Sequence, residues 1–131
     1  MTAKTLFTGK TYNSSGPDGA ARSSDGLFDL KLPQPHPAAE NLFGAAWSAC
    51  YMGAIEVAAA QKKVKLPVHP SVETEIDLNL GQGGYFLAAR LSVSIPQIER
   101  DVAEALIRLA HEICPYSKAV HGNIAVETVL I

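Results

Sequence analysis

A long run of apolar and small residues from Glu40 to Gln61 predicts a helix that is buried on every side. Apart from Ser48 and Glu56, the interior positions of this run are apolar or small, and Cys50 lies at its middle. The run is almost long enough to cross a bilayer, but it is rich in alanine and glycine and carries an acidic residue. We therefore predict the core helix of a soluble domain, against which the rest of the chain packs.

Alternation of apolar and polar residues predicts five strands. Residues 71–80 alternate, a GQGG turn follows, and the alternation returns up to residue 95, which favours an antiparallel pair. Residues 123–131 predict a final strand. Residues 4–12 and 27–32 predict two strands near the N-terminus, joined by a loop rich in glycine, aspartate and serine. The predicted buried rows of the central pair are Val72, Thr74, Ile76, Leu78 and Leu80 on one strand and Leu87, Ala89, Leu91, Val93 and Ile95 on the other.

Between these strands, apolar residues from Pro96 to Ile113 recur at helical spacing and predict an amphipathic helix that Pro115 ends. Prolines at 33, 35 and 37 interrupt the sheet, and Pro37 suits the first turn of the core helix. The predicted order is β-β-α-β-β-α-β in a single domain over residues 1–131. The fold class is α+β, with a mainly antiparallel sheet and a buried central helix.

The composition of the chain excludes some classes of binding partner. A hydrophobic fraction of 47% in 131 residues is enough for one core, and a net charge of -2 with interspersed signs offers no surface for nucleic acid or for an anionic membrane. The first ten residues, MTAKTLFTGK, lack an apolar export signal, so we expect a cytoplasmic location. The chain is also too short to cover both faces of residues 40–61, which favours an obligate homodimer.

The two cysteines, Cys50 and Cys114, are the candidate reactive groups. Cys50 in an apolar helix would ordinarily be an inert thiol, because burial disfavours the thiolate. Cys114 stands at a helix end beside Pro115, where we expect partial exposure and a helix dipole that disfavours an anion. If the two thiols meet, they suit a cycle in which one becomes a sulfenic acid and the other resolves it to a disulfide. The spacing of the two cysteines in the sequence does not show whether they meet in space.

A metal site is the competing use of these residues. His111-x-x-Cys114 has plausible ligand spacing, but zinc needs two further ligands, for which Cys50 and three scattered histidines are available. These histidines are His36, His69 and His121. We favour the redox use, predict no metal, and interpret the histidines as surface or loop residues. Serine and cysteine hydrolase signatures are absent from the sequence.

The segments ENLFGAAWSACYMGA (residues 40–54), ICPYSKA (113–119) and HGNI (121–124) resemble the OsmC/Ohr family, and the CPYS motif favours its organic hydroperoxide resistance branch. The likeness runs nearly end to end. It implies an OsmC/Ohr-like fold, an intertwined homodimer with active sites at the subunit interface, and the activity of an oxidoreductase. Members reduce organic and lipid-derived hydroperoxides, hold no bound cofactor, and are recycled by dihydrolipoyl groups on lipoylated proteins.

By position, the resemblance assigns Cys50 as the peroxidatic cysteine and Cys114 as the resolving one. Glu40 matches the family acid that holds an arginine beside the thiolate, although an acid is favourable in a first helical turn in any case. Such a cation has a physical purpose, because a thiolate in an apolar helix forms near neutral pH only with help from a nearby positive charge.

The chain departs from the family where that arginine is expected. The family's GGRDG-like segment aligns with residues 15–19, and Pro17 stands in the arginine's place. Arg22, five residues further along what we predict to be the same loop, is the candidate substitute; an ordinary solvated arginine is equally consistent with the sequence. The alternative function is therefore a weakly active or non-enzymatic relative that acts as a thiol redox sensor or binds a small hydrophobic ligand.

Overall fold

The described part of the chain contains two sheets of three strands each. The computed structural model describes residues 2–33 and 38–131. Its contacts divide the chain into two compact units, Met1–Ala39 and Glu40–Ile131. The single domain over residues 1–131 stays a prediction, and each unit is described here by itself. Pro37 and His36 lie outside the described residues.

The first unit is an antiparallel meander of β1 (Thr11–Ser14), β2 (Ala20–Ser23) and β3 (Asp29–Lys31). The prediction of two strands at 4–12 and 27–32 is wrong in two ways: β1 begins only at Thr11, and β2 lies inside the predicted loop. The glycine, aspartate and serine signals belong to two tight turns. In the first turn the Gly19 amide donates to the Gly16 carbonyl at 2.9 Å, and a Cβ at Gly19 would lie 2.5 Å from the Leu32 carbonyl oxygen.

The second unit begins with α1 (Ala39–Gln61), close to the predicted bounds. Two residues after the end of α1, Lys63 is left-handed with φ 57°, and the Val64 amide donates to the Ala59 carbonyl at 2.8 Å. Near its start, α1 packs against β4 at Gly44, where a Cβ would be in ordinary contact with Ile76 at 3.4 Å.

Within this chain α1 is buried on one face only, and the burial of its second face, for which we expected a second subunit, stays a prediction. One face, which includes Trp47, Tyr51 and Ile55, is buried in the core, whereas the opposite face is exposed. The small or apolar exposed positions are Ala45, Ala46, Ala49, Gly53, Val57 and Ala60. By length and composition α1 is the one helix in the described ranges that could span a membrane, but 44% of its apolar window is buried inside this structure.

The second sheet consists of β4 (Ser71–Gly81), β5 (Gly84–Ser94) and β6 (Ala125–Leu130), with β5 in the centre. The β4–β5 pair is antiparallel, as predicted, while β6 joins β5 in parallel. The central part of the predicted buried row, Ala89, Leu91 and Val93, lies in the core. Towards the hairpin turn the row fails: Leu78 and Leu80 are 52% and 71% exposed, because nothing in this unit covers them.

Two further helices complete the unit: α2 (Arg100–Ile113) and α3 (Pro115–Val120). α2 begins four residues later than Pro96, where we predicted its start. We did not predict α3, because Pro115 was interpreted only as the residue that ends α2. Pro115 also occupies the first position of α3, a place that suits the fixed φ of proline. The order is β-β-β-α-β-β-α-α-β, and the α+β class is confirmed. The core contains side chains from α1, β5 and α2.

Candidate functional site

The two cysteines meet in the second unit. The Sγ atoms of Cys50 and Cys114 lie 3.2 Å apart, with the Cys114 thiol donating to Cys50, and both thiols are free. Cys50 is carried by the middle of α1, and Cys114 by the single residue that separates α2 from α3. The tertiary structure thus brings together two residues that lie 64 positions apart. A bond between the sulfurs requires them to close by only about 1.2 Å.

The exposure of the two thiols is the reverse of what the sequence predicted. Cys114 is completely buried, at 0% exposure, although we expected a partly exposed residue at a helix end. Cys50, which we expected to be buried, is partly exposed. The reason is the geometry of the helices: Cys50 flanks the uncovered face of α1, whereas α3 folds back at Pro115 and encloses Cys114. A small molecule in solution therefore reaches Cys50 first.

Cys114 has a structural role at two helix ends that the sequence did not reveal. Its backbone amide donates to the Ala110 carbonyl and closes α2, while its side chain accepts from the Ser117 amide at 3.4 Å and caps the start of α3. The expectation that Cys114 faces only the negative end of a helix is therefore wrong, because the same residue faces the positive end of α3.

The electrostatic surroundings of Cys50 disfavour its thiolate within this unit. Burial raises the pKa of the Cys50 thiol, the backbone amide of Tyr116 opposes that rise, and the neighbouring Cys114 adds to it. Within residues 40–131, no lysine or arginine contributes to this balance. A cation from elsewhere is needed to populate the Cys50 thiolate near neutral pH.

A buried hydrogen-bond network adjoins the thiols. Ser117 Oγ accepts from Trp47 Nε1 at 3.0 Å and lies 2.9 Å from His111 Nδ1. His111 Nε2 lies 2.8 Å from Thr128 Oγ1 on β6. Sequence reasoning missed this network, although the spacing of His111, Cys114 and Ser117 at three-residue intervals was a signal for it.

The network contradicts one interpretation of His111. The expectation of a surface or loop histidine is wrong for this residue, which is partly buried and has both ring nitrogens hydrogen bonded. Its predicted metal-ligand partners His69 and His121 are exposed, and within 2–33 and 38–131 no three His, Cys, Asp or Glu side chains are grouped to hold a metal. The side chain of Tyr51 packs against the His111 ring at 4.4 Å between centroids and donates to the Ile107 carbonyl.

Glu40 stands at the beginning of α1 and lines a cavity of about 740 Å³ beside β4. It lies ten residues before Cys50 on the same helix, which corresponds to about 15 Å along the helix axis. An arginine that bonds a carboxylate and a thiolate together requires the two anions within a few ångströms of one guanidinium. Glu40 is thus too far along α1 to serve the Cys50 of its own chain.

Arg22, the candidate substitute cation, lies on β2 in the first unit and not in a loop, so that part of the prediction is wrong. It is paired in register with Asp29 of β3, and their side chains form an exposed ion pair at 3.6 Å. Pro17, at the family's arginine position, lies in the turn that Gly16 and Gly19 close. The pairing of Arg22 with Glu40 stays a prediction.

The partial burial of His111 predicts a pH dependence of stability. Burial lowers the pKa of folded His111 below its ordinary value of 6.5, so on acidification the unfolded chain binds this proton first. The contribution of His111 to the free energy of unfolding should therefore be constant above that value and decrease as the pH falls below it, until folded His111 is itself protonated. Urea unfolding from about pH 8 to about pH 5.5 measures this loss.

Two variants isolate the contribution of His111. His111→Asn should flatten the acid-side decrease, because it removes the titrating ring while keeping an acceptor for Ser117. The exposed His121 is the matched control, and His121→Gln should leave the decrease in place. Equal pH profiles for wild type and His111→Asn would assign the acid loss to other groups.

Comparison with known proteins extends these observations. The model of the OsmC-like protein family matches residues 32–129. An organic hydroperoxide resistance protein of Xanthomonas axonopodis pv. citri (strain 306) is 34% identical over 97% of this chain and 96% of its own. The crystal structure of OhrB of Bacillus subtilis is 31% identical, with a TM-score of 0.86 over 97% of this chain and 100% of its own.

A second solved structure agrees with the first. An organic hydroperoxide resistance protein from Legionella pneumophila is 32% identical, with a TM-score of 0.88 over 97% of this chain and 98% of its own. Agreement at this level over nearly the whole of each chain confirms the predicted OsmC/Ohr-like α+β fold. The chain belongs to the OsmC-like protein family, in the organic hydroperoxide resistance branch.

Proposed function

We propose that the protein is a thiol peroxidase that reduces organic hydroperoxides to alcohols, with Cys50 as the peroxidatic and Cys114 as the resolving cysteine. The observation that carries the proposal is the 3.2 Å separation of the two free sulfurs. The branch to which the chain belongs supports the substrate class, since the relatives are named organic hydroperoxide resistance proteins.

The chemistry takes two steps on this chain. The Cys50 thiolate attacks the terminal oxygen of the hydroperoxide, the O–O bond breaks, and the alkoxide leaves and is protonated to the alcohol. Cys50 is then a sulfenic acid. The Cys114 thiolate attacks the Cys50 sulfur, the S–O bond breaks, and hydroxide leaves as water after protonation. The arrangement favours this order, because the partly exposed Cys50 meets the peroxide while the buried Cys114 stands behind it.

The resulting disulfide must be reduced by an external dithiol. We propose dihydrolipoyl groups on a lipoylated protein as that reductant: a dithiol can attack the disulfide with one thiol and release itself from the mixed disulfide with the other. No bound cofactor is needed for either half of this cycle. A cytoplasmic location remains part of the proposal, since a reducing compartment keeps both cysteines available as thiols.

The proposal includes a homodimer whose partner subunit completes the site. Three observations support it: the exposed small-residue face of α1, the raised pKa of Cys50 within its own unit, and the distance of about 15 Å along α1 between Glu40 and Cys50. Glu40 can serve a thiolate only across a subunit interface. Arg22 is the proposed cation that Glu40 holds, in place of the arginine that Pro17 replaces.

A second candidate function rests on the same electrostatics. If no cation reaches Cys50, its raised pKa leaves little thiolate near neutral pH, and the protein reacts slowly with peroxide. It would then act as a thiol redox sensor or bind a small hydrophobic ligand. A cavity of about 690 Å³ lined by Trp47, Ile124 and Val126, among others, is of a size for such a ligand.

Peroxide consumption with different reductants tests the proposal. The purified protein should consume cumene hydroperoxide repeatedly with dihydrolipoamide as reductant, and more slowly with glutathione or thioredoxin. Removal of the proposed cation by Arg22→Ala should slow this turnover, with Lys10→Ala in the same unit as the matched control. Oxidation of Cys50 by one equivalent of peroxide, without turnover with any dithiol, would overturn the enzyme proposal. If Pro17→Arg then accelerates peroxide reduction, that result would support the alternative of a weakly active relative.

A further inference from the structure

The hydrogen-bond network around Ser117 touches both thiol-bearing segments. Trp47 lies three residues before Cys50 on α1, His111 three residues before Cys114 on α2, and Ser117 three residues after Cys114 on α3. Trp47 and Ser117 are 1% and 6% exposed, so the bonds between them are shielded from water. The network links the two helical segments that place the sulfurs 3.2 Å apart.

The donors and acceptors of this network can be counted. The indole of Trp47 only donates, so Ser117 Oγ accepts from it and has one proton left to give. If Ser117 donates to His111 Nδ1, the ring carries its proton on Nε2 and donates to Thr128 Oγ1. Ser117 and His111 then each accept one hydrogen bond and donate one, and all the bonds run in a single direction from Trp47 to Thr128. The opposite tautomer makes Ser117 accept twice and leaves its proton without a described partner.

The neutral ring with its proton on Nε2 is therefore the state that satisfies the network. Partial burial favours this uncharged form, since it lowers the pKa of His111. His111 thus fixes the Ser117 hydroxyl, and through it the start of α3. The backbone amide of that same Ser117 holds Cys114 Sγ at 3.4 Å.

We propose that His111 is a positioning residue that acts through Ser117 to hold Cys114 against Cys50, and so sets the stability of the disulfide between them. The inference rests on the proposed function, in which these two cysteines form that disulfide. In this arrangement the described hydrogen bonds of His111 go to Ser117 and Thr128, and the residue takes no part in proton transfer to substrate. Its contribution is to confine the Cys114 thiol to the short range from which it attacks the Cys50 sulfur.

A glutathione redox buffer tests this without peroxide. The Cys50 thiolate attacks one sulfur of oxidised glutathione and releases one glutathione thiolate; the Cys114 thiolate then attacks the Cys50 sulfur of the mixed disulfide and releases the second. Two electrons pass from the cysteines to glutathione, and the two thiol protons pass to the released thiolates or to water. Mass spectrometry after acid quenching gives the equilibrium constant for the protein disulfide.

Loss of the network should lower that equilibrium constant. Ser117→Ala and His111→Leu should each reduce it about tenfold, equivalent to a reduction potential about 30 mV less negative. His111→Asn keeps an acceptor for Ser117 and should restore most of the wild-type value. Tyr51→Phe is the matched control: it removes the neighbouring buried hydrogen bond to Ile107 and should leave the equilibrium constant unchanged.

Fluorescence provides an independent readout, because Trp47 is the single tryptophan of the chain. Ser117→Ala removes the acceptor of its indole N–H and should shift the emission to shorter wavelength, whereas Tyr51→Phe should not. If Ser117→Ala does not fold, the comparison of His111→Leu with His111→Asn carries the test.

The outcomes separate the inference from the proposed function. A wild-type disulfide whose equilibrium constant matches that of His111→Leu would overturn the positioning role while leaving the peroxidase proposal intact. A tenfold loss in His111→Leu that His111→Asn reverses would support the role. A wild-type protein that forms no disulfide between Cys50 and Cys114 in any glutathione buffer would overturn both.

Discussion

Cys50→Ser is expected to abolish peroxide consumption, whereas Cys114→Ser should still complete one oxidation of Cys50 and then stop. The reason is the division of labour that the geometry favours: the partly exposed sulfur meets the hydroperoxide, and the buried one resolves the product. Without Cys114, the sulfenic acid on Cys50 has no thiol at 3.2 Å to condense with. It should persist or advance to the sulfinic acid when more peroxide is added.

Mass spectrometry after one equivalent of cumene hydroperoxide distinguishes the variants. Cys114→Ser should gain one oxygen on Cys50, Cys50→Ser should gain none, and wild type should lose the two thiol hydrogens as the disulfide forms. Both variants should fold, because serine is close in size to cysteine and is itself a favoured cap at the start of α3. Identical oxidation of the two variants would contradict the assigned roles.

Mixing two inactive variants, Cys50→Ser and Glu40→Gln, is expected to restore peroxide turnover. If the site takes Cys50 from one subunit and Glu40 from the other, homodimers of Cys50→Ser lack the nucleophile, and homodimers of Glu40→Gln lack the acid that holds the cation. A heterodimer of the two keeps one complete site. Random exchange of subunits should therefore recover about one quarter of wild-type turnover, since half of the dimers are mixed and each has one working site of two.

The result depends on where Glu40 acts. Along one α1 helix, Glu40 is about 15 Å from Cys50, and a single arginine cannot serve both. Mixing Cys50→Ser with a Cys50→Ser, Glu40→Gln double variant is the control, because no site in that mixture has a nucleophile. If native mass spectrometry shows mixed dimers and turnover does not recover, Glu40 acts within its own chain. Sedimentation as a folded monomer would overturn the homodimer itself.

Local sequence patterns predicted much of the second unit. Residues 40–61 form a helix within one residue of the expected bounds, because a long run of helix-forming small and apolar residues has no interior proline. The alternating pair β4 and β5 was equally clear, since a period of two over ten residues fits only a strand with one covered face. The resemblance of the two cysteine motifs led to the same fold that the solved relatives share.

The wrong predictions concern features that depend on which elements lie next to each other in the folded chain. In residues 13–26, turn residues signal chain reversal, but whether they make one loop or two turns around β2 depends on the pairing of β2 with β1 and β3. The cover of α1 is also not decided by its own residues: its second face is exposed within this chain, and the predicted burial of that face in a homodimer stays a prediction. The same limit applies to Leu78 and Leu80, which follow the strand period but lie beyond the cover of the core.

The sequence by itself determined the α+β class, the core helix and the two cysteines as candidate reactive groups, because these depend on local periodicity and on residue chemistry. Only the tertiary structure decided that Cys50 and Cys114 meet, that Cys114 is the buried partner, and that His111, Ser117 and Trp47 form one network. The physical reason is that hydrogen bonds and sulfur contacts act over about 3 Å, while the residues that make them lie up to 70 positions apart in the chain.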